Sequence, residues 1–179
     1  MNSLLRASRL IDALNTAVGK ASYWLILIAV LVSSGNAVVR KAFNMSSNSL
    51  LEIQWYLFAA VFLLCAGYTL LNKEHVRVDL IHSRLSRRQQ LWVEIFGTLF
   101  FLAPVTLLIL VLSWAPFVDA YTSGEVSSNA GGLIRWPVKL LLPVGFALMA
   151  LQGISEIIKR IAALEHVIEM DFKYEKPLQ

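Results

Sequence analysis

Four long apolar runs, separated by polar stretches of unequal length, dominate the hydropathy pattern of the chain. They cover about residues 21–39, 50–71, 91–113 and 138–158. About 20 apolar residues in a helix cross the ~30 Å hydrocarbon core of a bilayer, so each run is long enough to span, the longer ones with some tilt. Residues 3–20 read differently. Leu4, Ala7, Leu10, Ile11, Leu14, Ala17 and Val18 fall on one arc of a helix, and Ser8, Arg9, Asp12, Asn15, Thr16 and Lys20 on the other. This pattern predicts an amphipathic helix in the membrane interface, its apolar arc toward the acyl chains and Arg6, Arg9 and Lys20 toward anionic headgroups. The expected fold class is an all-α integral membrane protein, a single membrane domain of four transmembrane helices preceded by that interfacial helix.

The ends of the runs carry the residues that membranes place there. Tyr23 and Trp24 open the first run, Trp92 and Trp114 bracket the third, and Trp136 opens the fourth; amphipathic rings favour the headgroup level. Ser33, Ser34, Gly35 and Asn36 form a small, polar cluster near the outer end of the first run, suited to close helix approach or to wet headgroups. Glu52 lies in the first turns of the second run, where an acid needs a cationic partner, and Arg40 or Arg135 lies on the same side. Glu94, one turn into the third run, is within reach of Arg87 or Arg88. Pro104 predicts a kink in that run. Residues 114–137 form the one long polar interruption, an outer loop ending in Arg135, Trp136 and Pro137, with proline at a first helical position. At the end of the fourth run Glu156 is spaced for i,i+3 and i,i+4 pairs with Lys159 and Arg160. The tail, 159–179, carries mixed charges and no motif.

Composition agrees with the pattern. The 179 residues are 57% hydrophobic and 16% charged, with a mean hydropathy of +0.62, against about 45–50% apolar and about 25% charged residues in soluble domains. The net charge of +4 does not point to nucleic acid, because the basic residues gather at the ends of the apolar runs and so face lipid headgroups. Arg6, Arg9 and Lys20 precede the first run, Lys73, Arg77, Arg84, Arg87 and Arg88 fill the 72–90 loop, and Lys159, Arg160, Lys173 and Lys176 follow the fourth run. The other side holds only Arg40, Lys41, Arg135 and Lys139, so both termini are expected in the cytoplasm. The first run exceeds a signal-peptide core and lacks an Ala-x-Ala exit, which predicts an uncleaved span. The one cysteine, Cys65, excludes an internal disulfide.

The chemistry of enzymes is missing from the pattern. His75, His82 and His166 all lie in the loop or the tail, whereas a haem among four helices needs axial histidines within the spans. His75 and Asp79, four residues apart, make a poor metal pair without further ligands. No HExxH, GxSxG or phosphate-binding loop occurs. The middles of the spans lack the interrupted helices and polar groups of a self-sufficient transporter. No catalytic, cofactor-binding or metal residue is assigned, and an accessory membrane subunit is expected ahead of a small redox or enzyme subunit or an independent transporter.

The run from Glu52 through GYTLLNKEHVRVDL resembles the small, DctQ-type membrane subunit of TRAP transporters, the tripartite ATP-independent periplasmic systems. His75, Val76, Arg77, Val78, Asp79 and Leu80 carry the HVRVD signature after the second span, Glu52 matches the acid that opens that span, and GGLIRWPVKLLLPVG is similar to a subgroup of these subunits. The resemblance covers about residues 21–160. It implies two protein partners, a large multi-span subunit that carries solute and sodium and a periplasmic substrate-binding protein, and no cofactor in this chain. It implies a scaffold for sodium-coupled uptake of an organic acid or similar solute. The interface candidates are Glu52, Trp55, Tyr56, His75, Arg77, Asp79, Arg135 and Trp136 toward protein partners, and Arg6, Arg9, Lys20, Arg84, Arg87 and Arg88 toward lipid.

Overall fold

A computed structural model describes residues 1–43, 47–72 and 85–167. Helix α1 runs Asn2–Phe43, α2 Asn48–Leu71, α3 Arg87–Gly97, α4 Ala103–Ser123 and α5 Trp136–Leu164. A π-helical turn at Thr98–Leu102 joins α3 to α4 without a break, so these form one 37-residue rod. Among the described residues, four helical rods are thus long and apolar enough to cross a membrane. The expected all-α membrane architecture is the observed one.

The helix over residues 3–20 is present, but it continues unbroken through the first span. At 1.5 Å per residue, the 42 residues of α1 extend ~63 Å, well beyond the ~40–45 Å of a bilayer with its headgroups. Part of its polar arc, Ser8 and Asn15, faces inward, while Arg9 and Lys20 of the same arc stay exposed. Ser8, Asn15, Ser22, Ala29 and Asn36, seven residues apart, are all buried, while Leu10 and Leu14 are exposed. A seven-residue repeat keeps one seam against neighbouring helices with a left-handed crossing. In lipid the apolar arc is the outward one, so the polar and small residues form the contact.

Helix α5 is the hub: α1, α2 and α4 all pack on it, and α1 packs on α2 as well. Helix α4 makes its main inter-helix contact with α5 alone, so among the described residues the assembly is a three-helix cluster with a fourth helix laid against one side. Close approach depends on glycines, among them Gly67 and Gly145. A Cβ on Gly145 would lie 2.8 Å from the carbonyl oxygen of Leu63, and one on Gly67 would overlap Oδ1 of Asn15.

The outer loop is shorter than residues 114–137. Helix α4 passes Trp114 and Pro116 and ends at Ser123, where Gly124 adopts the left-handed conformation, φ 62°. Where the sequence predicts a kink at Pro104, the helix carries a π turn just before that residue. There the Ala103 N–H bonds the carbonyl of Thr98, five residues back. Proline, which lacks an N–H, stands immediately after that turn.

Candidate functional site: two polar clasps at the ends of the helices

The connection between α4 and α5 folds as a small hairpin. Val126 and Ile134 form an antiparallel bridge, and backbone bonds of 2.9 Å run from Ser127 N–H to Leu133 O and from Arg135 N–H to Glu125 O. The first turns of α2 hold it in place. Asn48 Nδ2 donates to Ala130 O at 3.2 Å, Ser49 Oγ donates to Gly131 O, and the Tyr56 hydroxyl donates to Ile134 O at 3.2 Å.

Glu52 is the centre of this outer clasp. It is only 4% exposed. Its carboxylate accepts from Leu133 N–H at 2.8 Å, from Asn129 Nδ2 at 2.7 Å and from Ser127 Oγ. Three donors from one loop therefore converge on an acceptor-only group, which is how a buried carboxylate is kept satisfied. The direct donors to Glu52 are uncharged, whereas the sequence suggested Arg40 or Arg135. Arg135 instead lies 3.5 Å from Glu125, which also takes Lys139. The hydrogen bond from Lys139, together with the charges of Lys139 and Arg135, holds the Glu125 carboxyl below its ordinary range.

Of the other outer residues singled out by sequence, Trp55 is exposed and Trp136 packs edge-on to Tyr121, centroids 5.6 Å apart. Phe117 and Trp114 extend this aromatic row along α4. Glu52, Tyr56, Arg135 and Trp136 are thereby brought to the hairpin and its rim. Arg6, Arg9, Lys20, Arg87 and Arg88 are exposed. His75, Arg77, Asp79 and Arg84 lie outside the described residues.

A second clasp at the opposite end joins three rods. Gln152 is fully buried: its Nε2 donates to Asp12 Oδ1 at 2.9 Å and to Glu156 Oε1 at 3.1 Å, and its Oε1 accepts from Asn15 at 2.9 Å. Ser155 donates to Asp12 Oδ1 at 2.6 Å and meets Ser8 at 2.7 Å. Lys159 bridges Asp12, at 3.2 Å, and Glu156. Arg160 bridges Glu156, at 2.5 Å, and Glu94 of α3, at 2.6 Å.

The pairs of Glu156 with Lys159 and Arg160 were readable from spacing, and they are present. The connection of Glu94 to Arg160, and the part played by Asp12, Asn15 and Gln152, were not foreseen. The signal available was the seven-residue recurrence of small and polar residues in α1.

The DctQ component of the tripartite ATP-independent periplasmic transporters matches residues 28–163, about three quarters of the chain. The chain belongs to the DctQ family. Neither a curated protein nor a solved structure matches it significantly. A DctQ chain is the small membrane subunit of a TRAP transporter, working with a large membrane subunit and a periplasmic binding protein. It is a transporter component and not a member of an enzyme family.

Proposed function

We propose that this DctQ chain is the static brace of its transporter, holding the large subunit for sodium-coupled, binding-protein-dependent uptake of an organic acid or similar solute. Both termini face the cytoplasm. Sodium and solute are handled in the large subunit, and this chain carries no cofactor. One observation supports the reading above others: the buried charges Glu52, Glu156 and Arg160 are all engaged by neighbours within the chain, at its two ends. Ionisable groups in a solute path face a cavity or one another across a moving interface, whereas these fasten helices together.

The outer hairpin, with Glu52, Tyr56, Arg135 and Trp136 at its base and rim and Trp55 beside it, offers a preformed surface to the binding protein. His75, Arg77 and Asp79 are assigned to contact with the large subunit on the cytoplasmic side. Arg6, Arg9, Lys20, Arg84, Arg87 and Arg88 hold the inner leaflet.

Purification through a tag on this chain from its native membrane is expected to recover a large multi-span protein. Proteoliposomes holding this chain alone are expected to be inert. Recovery of the chain by itself, or saturable sodium-dependent uptake by it alone, would contradict the brace.

A further inference from the structure

The third rod contacts the hub helix with two faces that do not line up. Along α4 the buried positions are Thr106, Ser113 and Ala120, seven apart. Continuing that step toward the N-terminus leads to Leu99 and then Trp92, yet these are 49% and 56% exposed. The buried residue is instead Leu91, one position earlier and only 3% exposed, with Ile95 buried one turn on. The seam has slipped by one residue, and the slip brackets the π turn at Thr98–Leu102.

A π turn holds one residue more than an α turn, so everything before it is rotated by about 100° relative to an unbroken α-helix. In an unbroken helix Glu94 would be turned away from α5 by that angle. With the extra residue it meets Arg160 at 2.6 Å. On α5, Gly153 lies beside Leu102 and Thr98, so the turn is packed directly on the hub.

We propose that the π turn is a phase shifter: its one extra residue directs Glu94 onto Arg160, so a single span presents an ion-pairing face at its inner end and a small-residue seam along the rest. Glu94 and Leu91 are then positioning residues. They fix the rotation of a rod that otherwise relies mainly on α5 for contact, and with it which aromatic side chains point outward: Trp92, Phe96 and Phe100, all more than half exposed.

The test uses the full chain with its single cysteine removed (Cys65→Ala) and cysteines introduced one at a time across residues 88–110. Maleimide labelling rates on the purified protein are expected to follow a helical period that slips by one residue between 98 and 102. Trp92→Cys should label several-fold faster than Leu91→Cys. Deleting Phe100 removes the extra residue and brings Leu91 into the unbroken seven-residue step of Thr106 and Ser113. The slip is then expected to vanish from the scan, while Trp92→Cys still labels faster than Leu91→Cys. Glu94→Gln should lower thermal stability in the parent and in the deletion variant alike, because the ion-pairing face is kept in both. An unbroken period across the scan of the parent, or a slip that persists after the deletion, would overturn the proposal. The scan is read on the parent chain, so it decides the matter even if the deletion variant does not fold.

Discussion

Arg160→Met is the most informative perturbation of the inner clasp. Methionine keeps an unbranched apolar stem, while the guanidinium that sits between Glu94 and Glu156 is lost. Arg160 is 4% exposed and Glu156 2%, so neither is well hydrated. Removing one partner of a buried pair costs about 3–5 kcal/mol, because a charge is left in a poorly solvated place. The low end applies here, since Lys159 still reaches Glu156. On the scale of soluble domains of similar size, about 3 kcal/mol corresponds to a fall in Tm of roughly 6–12 °C. Intrinsic fluorescence during heating of the detergent-purified protein, which has five tryptophans, measures it directly. The companion variant Arg160→Met with Glu94→Gln and Glu156→Gln should recover most of the loss, because an ion cluster replaced as a whole by neutral groups is often close to neutral in stability. A single variant within about 1 kcal/mol of the parent, or a triple variant as unstable as the single, would refute the assignment of these residues as a buried clasp.

Glu52→Gln should loosen the outer hairpin, since an amide keeps one acceptor oxygen and sets an NH2 against a donor of the loop; faster proteolysis within 124–135 and weaker copurification of the large subunit are the expected readouts, and unchanged cleavage counts against the clasp. Gly67→Ala should cost roughly 1–3 kcal/mol by overpacking against Asn15, seen as a lower Tm. The Glu125 carboxyl titrates below its ordinary value, so its bonds to Lys139 and Arg135 contribute fully above about pH 4.3 and are lost as pH falls through the depressed value. Hairpin proteolysis should therefore rise in that acid range, and Glu125→Gln should shrink the response to the part that Glu52, the other carboxylate bonded to the hairpin, supplies; an acid response unchanged by the substitution counts against the assignment.

The four spans were legible because the hydrocarbon core imposes a minimum apolar length that few other structures require. The family was legible in the HVRVD run and the acid of the second span. The inner clasp was not, for a reason of solvent. On a surface helix in water the polar arc faces out, whereas in α1 the lipid takes the apolar arc and Ser8, Asn15 and Ser22 turn inward. The partner of Glu52 was sought among cations, because only charge is visible in sequence. The loop supplies an N–H, an amide and a hydroxyl instead, placed by a bridge between Val126 and Ile134 that no short-range pattern announces. Trp114 suggested the end of the third span, yet the helix runs on to Ser123 and is stopped by the backbone of Gly124. The π turn leaves only Pro104 as a mark in the sequence.

The inner clasp also sets an order of events during synthesis. Ser8 and Ser155 are 147 residues apart, so the first helix to enter the membrane finds its polar partners only when the last one has been made. Until then Asp12 and Asn15 lack Gln152, Ser155 and Lys159, and α2 can align with α1 along the seam without closing it. The fold is therefore completed by the arrival of its C-terminal rod. A chain that stops before residue 152 lacks every α5 side chain that Ser8, Asp12 and Asn15 bond in this clasp.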